Sequence, residues 1–310
     1  MGEEFGHKPV MLSEVLAVLK PRAGGRFADG TIGASGHAAA ILAASSPDGS
    51  LYGCDRDETA VEFGRKRLAQ FAGRFELRQG NFANLADWVP AESCDGVLLD
   101  VGLSSRVLDD PERGFSFQAE GPLDMRFDQR QALTAADLVN TASVEELAKI
   151  FWEFGGERQS RRLARAIAHE RERRPFQTTR QLAELVERLV PRHGRKSHPA
   201  TRLFQAVRIA VNAEISSLER GLVGALKILK PGGRLVVLSF HSLEHKIARN
   251  FGRERARDYI VPAGAEDLPE LRQPRAPELK PIGKAPGPTD AEVAENPRSR
   301  SAQLRAWQKL

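Results

Sequence analysis

Three aspartates fall where an acid can do more than solvate a surface. Asp29 closes the short run Arg26-Phe27-Ala28-Asp29 and opens the turn Asp29-Gly30-Thr31-Ile32-Gly33-Ala34-Ser35-Gly36-His37. Asp55 ends Leu51-Tyr52-Gly53-Cys54-Asp55, and Asp100 ends Asp95-Gly96-Val97-Leu98-Leu99-Asp100. A glycine-rich turn between a strand and a helix lets the backbone approach a ligand closely, and the helix start offers unpaired N–H groups to it. Gly30, Gly33 and Gly36, with Ser35 placed to cap the helix, suit that use and suit a plain tight corner as well. An acid at the tip of the second strand, about 20 residues on, is where doubly wound folds hold the ribose hydroxyls of an adenosine cofactor. The pair selects an adenosine and leaves nicotinamide, flavin and methyl-donor enzymes open.

A distant segment narrows the choice. Leu229-Lys230-Pro231-Gly232-Gly233-Arg234-Leu235-Val236-Val237 resembles the helix, Pro-Gly-Gly turn and late strand of class I methyltransferases. Asp29 is then placed to receive the amino acid part of S-adenosylmethionine, where a dinucleotide would want a pyrophosphate cradle and no acid. Phe82, just past a third strand, offers a flat apolar face to an adenine, or simply fills the core. Asp100 sits at the carboxyl edge, where open sheets bind ligands, and Val101-Gly102-Leu103-Ser104-Ser105 follows it. Methylating an exocyclic amine requires the nitrogen to be held in line with the methyl group by acceptors that draw its lone pair out of the ring. Asp100 and Ser104 supply such acceptors, and the proton leaves after transfer. A rival motif, His241-Ser242-Leu243-Glu244-His245, fits the H-x-x-E-H pattern of a zinc peptidase. It directly follows a buried strand, Ser242 is placed to cap a helix, and no third ligand is apparent, so no metal is expected.

The composition agrees with a globular enzyme. At 310 residues, 41% hydrophobic and 28% charged, the chain can bury one large core or two modest ones. It shows no apolar run of membrane-spanning length and no apolar leader, so a cytoplasmic location without membrane attachment is expected. Cys54 and Cys94 are too few for a disulfide framework or a CxxC site and read as core residues. The net charge of +5 is mild, but Arg158 to Arg208 carries fourteen Lys or Arg against four acids. Such a field attracts phosphates, although a solvated helical face accounts for it equally well.

The elements that must position these residues alternate strand and helix as far as Asp100, which predicts an α/β fold with a parallel, doubly wound sheet. Strands are expected at 26–29, 51–55, 75–79 and 95–100, with helices at 36–44 and 58–71. The alternation then stops. Helical segments near 135–139, 144–151, 159–172, 179–189 and 200–211 read as an insertion. A helix at 213–229, a turn at 230–233 and a strand at 234–240 resume the pattern, and 299–307 supplies a final strand. Residues 1–108 and 212–310 are thus expected to form a discontinuous cofactor-binding core, and 109–211 an inserted, basic helical domain.

Longer stretches carry a resemblance across nearly the whole chain. Arg113-Gly114-Phe115-Ser116-Phe117, Gly121-Pro122-Leu123-Asp124-Met125-Arg126 and His198-Pro199-Ala200-Thr201-Arg202-Leu203-Phe204-Gln205-Ala206-Val207-Arg208 through Asn212 are the most specific. With Ser239-Phe240-His241-Ser242-Leu243-Glu244 and Asn296-Pro297-Arg298-Ser299-Arg300-Ser301-Ala302, they resemble the ribosomal small-subunit RNA methyltransferase H family, also called MraW. The resemblance implies a class I (Rossmann-like) methyltransferase fold that uses S-adenosylmethionine to methylate the N4 amine of a cytidine in 16S rRNA of the 30S subunit. It implies cofactor contacts at Ser35, Gly36, His37, Asp55, Phe82 and Asp100, beside which Gly33 and Ala34 of the same turn are further candidates. Candidates for holding an extruded cytidine and its strand are Asp124, Arg126, His198, Arg202, Gln205, Arg208, Asn212 and His241. The sequence departs from the family where Ala34-Ser35 replace a richer glycine run, where Arg106-Val107 replace Pro-Gln, and where His245 replaces Asp. The family's Gln contacts the cofactor, so Val107 there loses a hydrogen bond worth on the order of 1 kcal/mol.

Overall fold

The computed structural model describes residues 9–190, 198–262, 264–283 and 287–310. Two compact units divide the chain, Met1–Gly102 with Ser216–Leu310, and Leu103–Ile215. The first contains α1 (Leu12–Leu19), β1 (Arg26–Asp29), α2 (Gly36–Ala44), β2 (Ser50–Asp55), α3 (Glu58–Arg67), β3 (Phe75–Gln79) and β4 (Cys94–Asp100). The second contains α4 (Ser105–Asp109), α5 (Ala135–Thr141), α6 (Val144–Glu153), α7 (Ser160–Arg173), α8 (Thr179–Leu189) and α9 (Thr201–Val211). Helix α10 (Glu214–Ile228) leads back to the first unit, which continues through β5 (Leu229–Ser239) and α11 (Ser242–Arg255). It ends with β6 (Tyr259–Ile260), β7 (Gln273–Pro274), β8 (Leu279–Pro281), α12 (Asp290–Glu295) and β9 (Gln303–Lys309).

The sheet of the first unit runs β3-β2-β1-β4-β5-β9-β8. Strands β3 to β5 are parallel neighbours, and β9 enters antiparallel between β5 and β8. The near-continuous apolar run of β4 is what a strand covered on both faces requires. Leu98 packs into one core with Val236 and Leu238, and Val97 and Leu99 into the other with Leu235 and Val237. The strand order reverses between β1 and β4, and at such a reversal the carboxyl ends of neighbouring strands open a crevice. Asp29, Asp55 and Asp100 end the three strands around it. The separate two-stranded sheet pairs β6 with β7.

Sequence expectation and structure differ at several element ends. The Lys230-Pro231-Gly232-Gly233 turn does not separate helix from strand: β5 starts at Leu229, which pairs with Cys94, and the segment bulges out before Arg234 pairs with Gly96. The helix expected to reach Phe71 stops at Arg67, and a 3₁₀ turn over Ala69–Phe71 follows. The last strand starts at Gln303 because Pro297–Ser301 form a 3₁₀ turn. His241, not Ser242, caps α11.

The second unit has its own core, to which Leu138, Phe151, Leu163, Leu182, Leu203 and Val207 contribute. Its helices start on side-chain caps that the sequence supplies, with Thr134 and Thr178 closing capping boxes and Ser143 accepting from Glu146 N–H. Among the described residues no helix is long and apolar enough to cross a membrane.

Candidate active site

The turn after β1 is pinned from several directions. Gly30 N–H continues the ladder to the Leu98 carbonyl at 2.9 Å, and Ile32 N–H reaches the Cys54 carbonyl at 3.1 Å. Side chains close in around it. A Cβ on Gly30 would lie 2.6 Å from Leu99 and 2.7 Å from Phe82, and one on Gly36 would lie 2.2 Å from Pro9. These two glycines are therefore demanded by close packing rather than by φ. Gly33 and Ser35 instead take left-handed backbone, at φ 47° and 60°. Ser35 precedes α2 but caps nothing: its hydroxyl is buried without a hydrogen-bond partner. The expected Ser35 cap is thus corrected, because a residue in left-handed backbone does not have the extended geometry that brings a capping oxygen over the first N–H groups. The Ala34 carbonyl accepts from Arg67 Nη1 at 2.8 Å, tying the turn to α3.

Asp29 is fully buried. Its Oδ1 accepts from the Thr31 N–H at 3.0 Å and from the Thr31 hydroxyl at 3.3 Å, whereas Oδ2 has no partner. Burial pushes its carboxyl up to about 6, against the opposing pull of His37 and Thr31. The Thr31 hydroxyl also accepts the Asp100 N–H at 2.8 Å, so one side chain links the ends of β1 and β4. Sequence reasoning missed Thr31; a hydroxyl two residues after a strand-end acid is the signal that points to it.

Asp55 is organised by backbone. Oδ2 accepts from Gly33 N–H at 2.8 Å and Oδ1 from Asp57 N–H at 2.9 Å, and desolvation still holds its pKa above the usual carboxylate range. Arg56 N–H also bonds this carboxylate, which leaves one oxygen a lone pair for a ligand hydroxyl. Phe82 begins a 3₁₀ turn capped by Asn81, and its ring lies so close to Gly221 that a Cβ there would stand 2.3 Å away. Asp100 accepts from Gly102 N–H at 3.3 Å and places Oδ2 3.6 Å from His37 Nδ1. Burial raises the Asp100 carboxyl to about 7 and lowers the His37 imidazole.

Asp29, the Gly33 to His37 turn, Asp55, Phe82 and Asp100 thus gather at one sheet edge. The buried unpartnered oxygen of Asp29 suits a cationic donor, the Asp55 carboxylate a sugar hydroxyl, and the Phe82 ring a flat heterocycle. S-adenosylmethionine carries all three groups.

The H-x-x-E-H segment is occupied by the start of α11. Glu244 Oε2 accepts from the Phe240 and His241 N–H groups at 2.8 and 3.3 Å, and His241 Nδ1 accepts from Glu244 N–H at 3.5 Å. His245 Nδ1 lies 2.6 Å from the Ser239 hydroxyl. His241, expected near the substrate, is thus a helix cap by its contacts.

In the helical unit the residues expected to hold RNA fall into two groups. Asp124 and Arg126 form an ion pair at 2.7 Å, and Arg126 also binds the Gln129 and Gln131 carbonyls, so the pair closes its own loop. Asn212 is fully buried, accepting from Phe127 N–H and donating to the Met125 carbonyl. Arg208 grips Glu214 through two bonds of 2.8 and 2.9 Å. His198 binds Glu187 at 2.6 Å and stacks on Phe117. Arg202 and Gln205 are more loosely held, donating to the Gly156 and Phe154 carbonyls at 3.3 and 3.4 Å. Val107 lies in the hydrophobic core of this unit, and Ser104 precedes α4 without capping it.

The sequence profile of the MraW methylase family matches residues 4–310. The Ribosomal RNA small subunit methyltransferase H of Syntrophotalea carbinolica is 50% identical over 315 residues, covering 99% of both chains. Proteins with that name from Carboxydothermus hydrogenoformans and Geobacter sulfurreducens are 47% and 49% identical over 312 residues, again covering 99% of both chains. With nearly its full length matched in this way, the chain belongs to the MraW methylase family and is an S-adenosylmethionine-dependent methyltransferase.

Proposed function

We propose that this methyltransferase modifies the N4 amine of a cytidine in 16S rRNA, acting on the small ribosomal subunit in the cytoplasm. The observation that carries the reading is the end-to-end identity with relatives named as methyltransferases of ribosomal small-subunit RNA. S-adenosylmethionine, when bound, supplies an electrophilic methyl group. Asp29 takes its ammonium, the Gly33-Ala34-Ser35-Gly36-His37 turn lines its amino acid part, Asp55 accepts from a ribose hydroxyl, and Phe82 packs on its adenine. Asp100, at the end of β4, accepts a hydrogen bond from the target amine and turns the nitrogen lone pair out of the ring, with Ser104 as a second acceptor.

The helical unit supplies the grip on RNA. Arg158, Arg161, Arg162 and Arg165 are exposed around the start of α7, opposite the buried Leu163, Ala164 and Ile167. A stripe of this kind neutralises phosphates without reading sequence. Arg202 and Gln205 are the further contacts with freedom to reorient, while Asp124, Arg126, His198, Arg208 and Asn212 serve by fixing the loop and helix that carry them. His241 serves through the start of α11.

The test is incubation with labelled S-adenosylmethionine and 30S particles, free 16S rRNA or DNA, followed by digestion to nucleosides. Label in N4-methylcytidine from 30S particles is expected. Label in DNA, or in another nucleoside, would overturn the substrate.

A further inference from the structure

His37 Nε2 lies 3.0 Å from the Val10 carbonyl oxygen. A carbonyl only accepts, so Nε2 carries the ring proton and Nδ1 of the neutral ring is a bare lone pair. Asp100 Oδ2 stands 3.6 Å from that lone pair, while a backbone N–H from Gly102 occupies Oδ1. A lone pair and an ionised carboxylate repel at this separation. A single proton between them turns the repulsion into attraction, and the two groups titrate as a pair. The charged surroundings are Asp29 and Glu292 facing His37, and Asp29 and Glu244 facing Asp100. Burial favours the uncharged forms of both members, so near neutral pH the proton rests on Asp100.

We propose that Asp100 Oδ2 and His37 Nδ1 form a proton-exchange pair, which loses its proton to solvent on loading with the cationic methyl donor and takes in its place the proton that the substrate amine sheds. The inference rests on the amine-methylation reading above. The amine nitrogen forms the new N–C bond, and the electrons of the broken C–S bond stay with the departing thioether. The proton of the methylated nitrogen passes to the Asp100 carboxylate and on to His37 Nδ1, leaving a neutral secondary amine. It returns to water as the products leave. Asp100 touches the reacting nitrogen; His37 acts through Asp100 and is a positioning residue.

Calorimetric titration of S-adenosylmethionine into the cofactor-free protein, in buffers of differing ionisation heat between about pH 6 and 8, counts the protons released. At and above pH 7, where Asp29 is already largely ionised, the wild type is expected to release part of a proton, Asp29→Asn to retain the release, and Asp100→Asn to lose it. Binding without proton release in the wild type, or release that persists in Asp100→Asn, overturns the pair. Should Asp100→Asn fail to bind, the His37 ring nitrogens of the labelled wild type decide by NMR. The Nδ1 signal is expected to move on cofactor addition at constant pH, and a stationary signal overturns the proposal. In single-turnover assays at saturating S-adenosylmethionine His37→Gln keeps a donor for Val10, and its rate is expected to fall roughly tenfold or more. An unchanged rate overturns the role of His37. Calorimetry needs no RNA, so its failure leaves the rRNA reading standing, and a failure to methylate small subunits leaves the proton count intact.

Discussion

Ser35 holds left-handed backbone at φ 60°, ψ 20° with a buried hydroxyl that bonds to nothing. For a residue with a Cβ that conformation costs about 1–2 kcal/mol. Ser35→Gly is therefore expected to stabilise the cofactor-free protein by about 1 kcal/mol in chemical denaturation; a loss of stability would show that the hydroxyl contributes after all. Asp29 acts in the opposite sense to an ion-paired acid. Its folded pKa of about 6 stands above the unfolded value of 3.8, so the folded state binds more protons across that interval. The contribution is most favourable below about pH 4 and is lost as pH rises to about 6, amounting to about 3 kcal/mol at 1.4 kcal/mol per unit. Asp29→Asn is expected to flatten this slope, stabilise the cofactor-free fold at pH 8 and weaken cofactor binding at least tenfold. An unchanged pH profile of stability would contradict the buried acid. The three aspartates were legible in the sequence because each ends an apolar run. The state of His37 was not, because the carbonyl that fixes its tautomer lies 27 residues away.

At the scale of elements, parallel strands announced themselves through runs such as Val97-Leu98-Leu99, buried on both faces. What the sequence concealed lay at their ends. A Pro-Gly-Gly segment reads as a turn, yet pairing of Leu229 with Cys94 before it and Arg234 with Gly96 after it makes it a bulge within β5. The pairing partner is over a hundred residues distant and leaves no local trace. His241 caps α11 in place of the better capping residue Ser242, because Glu244 turns back to the Phe240 and His241 N–H groups. Asn212 was legible as important and ambiguous in role; its bonds to Phe127 N–H and the Met125 carbonyl join the end of α9 to a loop. Asn212→Ala strips partners from buried backbone groups and is expected to destabilise the helical unit by about 2 kcal/mol. Thermal denaturation reads this directly, and a loss below about 0.5 kcal/mol would mean that water replaces the side chain.

For the whole molecule, the uneven charge of the sequence becomes a surface. Arg161 and Arg165 on α7 are exposed. If they contact phosphates, Arg161→Ala with Arg165→Ala lowers the slope of log affinity for small-subunit RNA against log salt by about 2, with cofactor affinity unchanged. An unchanged slope would remove this face from the interface. Helical periodicity replaces βα alternation after Asp100, which is why an insertion over 109–211 is expected from the sequence; the helical unit of the structure spans Leu103–Ile215. One contact spans 281 residues of the chain. Met11 N–H donates to Glu292 Oε1 at 2.6 Å, and its neighbour Val10 holds His37. Strand β9, which follows Glu292, then inserts between β5 and β8. A chain emerging from the ribosome thus makes the glycine turn early but receives the anchor of its N-terminal segment only when synthesis has passed residue 292. Until then the segment that carries Val10 lacks its Glu292 anchor, so the carbonyl that holds His37 is braced only by the last part of the chain.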